Sequence, residues 1–505
     1  MDAPGVCSFT NGERFAVADV PVLPFEAFRD FVLGSVGDGG SLFALYGERD
    51  GERNLLRACV GDPMQGSLKM ASTEVGDRYP SLTPDCPSAH WFEREIAEVW
   101  AIVPEGHPWL KPIRFHASRR PGHDAWGRKP EGIVVGDADF FQVHGDEVHE
   151  VAVGPVHAGV IEPGHFRFQC HGETVFLLEI SLGYQHRGVE RALVGAPGPK
   201  SIALAETLAG DTTVGHTTAY CEAVEALAGV EAPPRGQSLR GIALELERMA
   251  NHVGDLGALA GDVAYLPTAS FCGRLRGDIL NMTGWVCGSR FGRSWIRPGG
   301  SAWDLDDAMS AELLRRLDAV MKDVTQAANL LWNTPSVMAR FEGMGVVHRD
   351  SALSLGLVGP AARACAIETD VREQYPSGVY RFSQINVSTW DTCDVFARAY
   401  VRWLEIERSA AFIRKQLKEL AKGAHLEPVG PCEANSMVVS LVEGWRGAIC
   451  HVARTDAAGR IASYKVVDPS FHNWIGLAMA LRNNPISEFP LCNKSFNLSY
   501  CGHDL

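Results

Sequence analysis

Four things are scarce in this chain of 505 residues, and each scarcity excludes a class of protein. Thirteen cysteines are present, but no two stand in a Cys-x-x-Cys spacing and their number is odd. That pattern excludes a zinc ribbon and argues against a disulfide framework, so reduced thiols are expected. Positive charge is also in deficit. With 47 Lys and Arg against 61 Asp and Glu, the formal charge is −14, the opposite of a nucleic-acid-binding surface. No stretch of about 18 apolar residues occurs, which excludes a predicted membrane span. The opening "MDAPGVCSFTNGERF" lacks the basic start and apolar run of a signal peptide, so a cytoplasmic location is expected.

What is there is a globular composition, 46% hydrophobic and 21% charged, long enough for two or three domains. Residues 1–120 mix short apolar runs with turn residues and are expected to form a small α+β domain. Residues 121–150 follow as a linker that takes up the Gly-, Pro- and charge-rich "RRPGHDAWGRKPEG". The third expected unit is 151–505. It opens with a β-hairpin, in which Phe166 and Phe168 alternate with Arg167 before a turn at His171-Gly172-Glu173. Beyond residue 200 the period becomes helical. Ile242, Leu246, Met249, Val253 and Leu256 form one apolar stripe; Leu313, Leu317, Val320, Val324 and Leu331 form another. Leu404, Ile413, Leu417 and Leu420 make a third, and helices sharing such stripes predict a bundle. After residue 430 strands return around a turn at Ala457-Ala458-Gly459. The fold class expected is α+β: a small N-terminal α+β domain, then a mainly α-helical domain with peripheral strands.

Two sets of motifs carry a resemblance. "HWFEREIAEVWAIVPEGHPWLKPIRF" (90–115) resembles the signature of the C-type subunits of complex I, with Trp91, Glu93-Arg94-Glu95 and Gly106-His107-Pro108 in order. "GPVHAGVIEPGHFRF" (154–168), "GYQHRGVER" (183–191), "GLVGPAARA" (356–364) and "VEGWRGAI" (442–449) follow in sequence. They resemble the large subunit of group 4 [NiFe]-hydrogenases, such as formate hydrogenlyase, and its relatives, the D-type subunits of complex I. The resemblance covers about residues 40–505 and implies a C–D fusion with a hydrogenase-large-subunit-like body.

In that family two Cys-x-x-Cys pairs supply the four thiolates of a nickel–iron centre, because soft sulfur suits both metals. Here the first pair maps to Ala209 and Thr212 in "LAGDTTVGH", and the last falls in "KSFNLSYCGHDL" with Leu498 and Cys501 at the matching spacing. The resemblance therefore implies a large subunit that has lost its nickel site and binds no metal or cofactor of its own. A hydrogenase assembled from Cys221, Cys492 and Cys501 is the rival expectation, and a purely structural subunit is another. Local chemistry alone reads "GDTTVGH" as a helix start capped by Asp211, Thr212 or Thr213.

The resemblance also implies roles for single residues. His157 and Glu162 stand on a loop that lines the quinone cavity in complex I relatives, and His216 stands at the mouth of the following helix. These three are the protonation candidates. The bland alternative for Glu162 is pairing with an arginine. Arg187 is expected beside the [4Fe-4S] cluster of a partner iron–sulfur small subunit; its bland alternative is a pair with Glu190 or Glu179. Quinone is the candidate acceptor, although the family's quinone tyrosine maps near Ile202. "Gly-x-x-Gly-Pro" at 356–360 is not a phosphate loop, and Arg363 is expected to be structural or to line a pocket, the structural role being favoured. His503 is expected in an exposed tail. The implied setting is the cytoplasmic face of a membrane, reached through antiporter-like partner subunits, with no nucleic acid involved.

Overall fold

The computed structural model describes residues 5–157 and 161–505. Near the N-terminus, β1 (Cys7–Phe9), β2 (Arg14–Ala16) and β3 (Val22–Leu23) are short, and helix α1 (Phe25–Gly37) follows. Three long strands come next: β4 (Ser41–Asp50), β5 (Arg53–Asp62) and β6 (Ser67–Val75). They form an antiparallel sheet in the order β1-β6-β5-β4, with β3 added parallel to β6. Phe28, Phe31 and Val32 seal α1 onto this sheet, and α2 (His90–Trp100) packs against β4. β2 does not join it. It pairs instead with a strand more than four hundred residues later, described below.

Residues 121–147 contain only a short 3-10 turn at Pro130–Gly132 before β7 (Val148–Val153) begins. The predicted hairpin is present as β8 (His165–His171) and β9 (Thr174–Ser181), with β7 completing a three-stranded antiparallel sheet. Then come α3 (Thr213–Ala228), α4 (Pro234–Asp262), α5 (Leu266–Cys287), α6 (Asp307–Trp332) and α7 (Val395–Lys418). The predicted stripes are their packing faces. Ile242, Leu246, Met249, Val253 and Leu256 are all buried on α4, as are Leu313, Leu317, Val320, Val324 and Leu331 on α6. On α7, Ile413 and Leu417 are buried, Leu404 is half-buried, and Leu420 lies past the helix end.

Helix α4 is buried almost all round, and its polar side is as enclosed as its apolar one. Glu245, Arg248 and His252 are each fully buried there. Burying charge is tolerable only when it is paired. Arg363 donates to Glu405 and Glu443, Arg372 to Asp370 and Glu245, and His252 Nε2 lies 2.8 Å from Glu405. Arg363 thus has the structural place expected for it.

The C-terminal part holds β10 (Ser436–Gly444), β11 (Gly447–Thr455) and β12 (Ile461–Val467), then α8 (Pro469–Leu481) and α9 (Tyr500–Asp504). The sheet order is β12-β11-β10-β2, so the N-terminal segment closes the edge of the C-terminal sheet. Asn11 fixes this contact by donating to the carbonyls of Tyr375 and Leu441 while accepting from the Leu441 N–H. Helix α3 lies across β10 and β11. The fold class is α+β, as expected. Among the described residues no helix is long and apolar enough to cross a membrane.

Candidate functional site

The site is built where the start of α3 meets the C-terminus. Local capping was expected from Asp211, Thr212 or Thr213, but the structure caps α3 differently. Thr212, at the cap position, makes no side-chain hydrogen bond to the helix. The N–H groups of Val214 and Gly215 instead donate to the carboxyl oxygens of Glu247 on α4, at 2.7 and 3.0 Å. Asp211 is unavailable for capping because Arg446 holds it through two hydrogen bonds of 2.6 and 2.7 Å. The same guanidinium lies 3.9 Å over the Trp445 ring, bonds Thr212 Oγ1, and donates to the carbonyl of Asn497. Arg446 therefore ties the turn before α3 to the segment before α9. Its loop is closely packed: Gly359 has φ +64, and a Cβ there would lie 2.1 Å from the Arg446 carbonyl oxygen.

His216 occupies the first turn of α3 and is fully buried, not at an open cavity mouth. Both ring nitrogens are engaged. Nε2 lies 2.9 Å from Asp468 Oδ2, and Nδ1 lies 3.1 Å from His451 Nε2. His451 Nδ1 in turn lies 2.9 Å from the Tyr464 hydroxyl. Asp468 sets the direction of the bond it makes. Burial would push its carboxyl up, but His216 and Arg446 outweigh that and hold it below its ordinary value, so it is an acceptor only. His216 therefore donates from Nε2, and the contacts His216 Nδ1–His451 Nε2 and His451 Nδ1–Tyr464 hydroxyl carry the connection onward. Burial, with His216 beside it, pushes the His451 pKa well below the usual imidazole range, which keeps that ring neutral. The result is a continuous hydrogen-bonded chain that links Tyr464, His451, His216 and Asp468.

The C-terminal segment packs directly on this chain. The Ser499 N–H donates to Ser470 Oγ, whose own N–H donates to Asp468. A Cβ added at Gly502 would lie 2.6 Å from Asp468 Cγ, so the absence of a side chain there admits the carboxylate. His503 is fully buried, contrary to the exposed tail expected: its ring meets Trp91 edge-on at 5.2 Å and its carbonyl accepts two bonds from Arg114. The reason is that α9 docks beneath α2 instead of trailing into solvent.

Glu162 accepts from the N–H groups of Tyr500 and Cys501, at 3.4 and 3.3 Å, at the other end of α9. Among the described residues it forms no ion pair with an arginine. His157 Nε2 lies 3.1 Å from the Gly164 carbonyl, half-buried on the same loop; residues 158–160 of that loop lie outside the described residues. Arg187 is exposed and pairs with neither Glu190 nor Glu179. It donates to the carbonyls of Thr207 and Leu208, and its N–H donates to the Leu505 carbonyl. Lys465 and Arg119 take Glu190, while Lys111 takes Glu179.

Nickel would need thiolates where Ala209 and Thr212 stand, and a methyl or hydroxyl group cannot bridge two metals. The remaining thiols do not converge either. Cys221 lies on α3 near Arg240 and Glu225, Cys492 lies against Gly345 and Arg398, and Cys501 lies beside Ser499 and Glu162. Burial pushes the Cys492 thiol up to about 11, and burial with Glu162 pushes Cys501 up to about 12. No group of three or more His, Cys, Asp or Glu suited to a metal ion occurs among the described residues. The residues present do not fit a nickel–iron centre.

Sequence reasoning reached His216 but missed Asp468, His451, Tyr464, Glu247 and Arg446. Arg446 was within a motif already noted, "VEGWRGAI"; the others lie on strands or helices where their side chains follow the ordinary alternation and carry no local signal.

The chain is thus an α+β protein whose helical body closes on its own C-terminus around a buried histidine–carboxylate junction, and comparison with known proteins gives its class, a hydrogenase-like oxidoreductase subunit. Residues 262–431 match the family described as respiratory-chain NADH dehydrogenase, 49 Kd subunit, and residues 64–126 match the 30 Kd subunit of the same enzyme. The chain is 30% identical over 351 residues to the carbon monoxide-induced hydrogenase of Rhodospirillum rubrum, covering 69% of this chain and 97% of that one. It is 28% identical to formate hydrogenlyase subunit 5 of Escherichia coli, covering 84% of this chain and 76% of that protein. The C/D subunit of NADH-quinone oxidoreductase from Nitrosospira multiformis is 28% identical, covering 71% of this chain and 62% of its own length. The chain belongs to the family that unites group 4 hydrogenase large subunits with the 49 kDa and 30 kDa subunits of complex I.

Proposed function

We propose that this chain is the large hydrophilic subunit of a membrane-associated redox complex of the formate hydrogenlyase or NADH-quinone oxidoreductase kind, working without nickel. The observation that carries this reading is the replacement of a thiolate cradle by two polar links: Arg446 with Asp211, and His216 with Asp468. The first binds the two chain segments that would have held metal. The second is a proton-holding pair at the same junction. Electrons reach the subunit from the [4Fe-4S] cluster of an iron–sulfur small subunit, seated against the surface around Arg187. Protons for a quinone or another small acceptor come from His216, with His157 and Glu162 on the neighbouring loop. The complex sits on the cytoplasmic face of the membrane through antiporter-like subunits, and this chain itself binds no cofactor.

The reading divides the chain into three domains: a unit like the complex I C-type subunits over 1–120, a linker over 121–150 and a unit like the D-type subunits over 151–505. The test is to capture the chain with its partners from its native host and quantify nickel, iron and sulfide. Iron and sulfide with no nickel is the expected result; stoichiometric nickel defeats the reading and restores a hydrogenase with unusual ligands. The full burial of His216 favours a second reading, a scaffold without a protonation role. A His216→Gln complex that assembles and keeps its electron-transfer rate would establish the scaffold.

A further inference from the structure

Helix α3 carries a second acid that the junction does not use. Glu222 lies six residues beyond His216 and faces a cleft on the other side of the helix. The outer part of that cleft, about 220 Å³, has Glu231 and Arg381 near its mouth, 3.5 Å apart on exposed side chains. Its inner part, about 30 Å³, is lined by Thr218, Tyr380 and Glu443, and exceeds the about 10–15 Å³ that one water requires. Glu222, Gln237, Arg240, Ser377 and Gly378 line both parts, so Glu222 stands where the two meet. Thr218 Oγ1 is buried with no hydrogen-bond partner among the described residues, which marks a place for water.

The hydrogen bonds of Glu222 lead inward. Ser377 Oγ donates to one carboxylate oxygen at 3.1 Å and Ser440 Oγ to the other at 3.4 Å. Ser440 on β10 is the register partner of His451 on β11. Side chains of directly opposed residues lie on one face of the sheet with Cβ atoms about 4.5–5.5 Å apart. The Ser440 hydroxyl therefore stands one cross-strand step from the histidine chain.

We propose that Glu222 is the proton-uptake residue of the complex, passing protons from the cleft through Ser440 to the chain formed by Tyr464, His451, His216 and Asp468. This rests on the protonation role proposed for His216. In each cycle the Glu222 carboxyl gives its proton to the Ser440 oxygen, and Ser440 gives its own hydroxyl proton, across one water, to the Tyr464 oxygen. The hydrogen-bonded chain carries the charge on through His451 to His216, which releases one proton to the acceptor, and each ring takes back its resting proton before the next cycle. One proton enters and one leaves; Glu222 is left as carboxylate and is refilled by water in the cleft.

The surroundings suit the task. Burial raises the Glu222 carboxyl, Arg240 and Arg381 lower it and Glu225 raises it, with Ser377 and Ser440 at its oxygens and Gln237 and Glu231 near by; the balance is about 7. An acid at that value is protonated and refillable near neutral pH. Turnover of the intact complex is the test, followed against pH. The wild type loses rate as pH rises through about 7, because Glu222 spends less time protonated. Glu222→Gln cuts the rate by about a hundredfold and abolishes that limb. Ser440→Ala, which creates no bulk, gives a similar loss with the complex assembled, and Glu222→Asp restores part of it. Infrared difference spectra between pH 6 and 8 give a readout free of turnover: a protonated-carboxyl band should titrate near pH 7 and vanish in Glu222→Gln. A Glu222→Gln complex with the wild-type rate and pH profile overturns the proposal, as does an unchanged band. If His216→Gln is inactive while Glu222→Gln is not, only the uptake route fails; if both are fully active, the protonation role of His216 fails with it.

Discussion

Arg446 shows how much of the junction hangs on one side chain. Its guanidinium is buried, while the Asp211 side chain keeps 34% of its exposure. Arg446→Met should therefore cost about 1.5–3 kcal/mol, the range for hydrogen bonds to charged groups, rather than the about 3–5 of a fully enclosed ion pair. A shift in the urea midpoint measures it, and adding Asp211→Asn should recover part of the loss. The pH dependence has a definite sign. Burial raises the Asp211 carboxyl, but Arg446 outweighs it and holds the group below its ordinary value. The pair's contribution is therefore fully present above the unfolded value, about 3.9, and is lost as pH falls through the folded one. Gly502 offers a separate test. Gly502→Ala should push Asp468 away from His216, and the His216 Nε2–H proton resonance should shift while the helical circular dichroism stays constant.

At the scale of the element, α3 depends on a cap that it does not own. Burial pushes the Glu247 carboxyl up to about 8, against the Val214 and Gly215 N–H groups that draw it down. An acid whose folded value is raised stabilises fully below its unfolded value, about 4.3, and loses that contribution as pH rises through the folded one. Stability should consequently decline between about pH 4.3 and 8, and Glu247→Gln should flatten that slope in melting temperatures recorded across the range. This element also shows what could be read in advance. The apolar stripes of α4 and α6 were legible because a 3.6-residue period is written into the side chains that face the core. The cap was not, because Glu247 lies thirty-two residues beyond the Gly215 it serves and only the packing of α4 on α3 brings it there. The histidine chain was hidden for the same reason: His216 meets His451 235 residues away. His503 was misread because a terminal sequence carries no sign of where its last turn docks.

Across the whole molecule, the two ends of the chain hold one another. Asn11 makes three hydrogen bonds with residues in the far half, and β2 closes the edge of the β10 sheet. Asn11→Ala leaves the Leu441 N–H and two carbonyls short of partners, and should cost about 1–3 kcal/mol per buried unsatisfied group, read from the denaturant midpoint. Removing residues 5–17 should go further and increase aggregation, measured by light scattering, because β10 would then present a free edge.

That closure sets a timetable. The strand that residues 11–16 pair with, beginning at Ser436, is made 420 residues after Ala16. At about 5–20 residues per second, the interval is on the order of twenty to eighty seconds. Through that time β2 is a nascent ribbon without its strand partner, and the sheet it closes is finished by a segment made long before the rest of it.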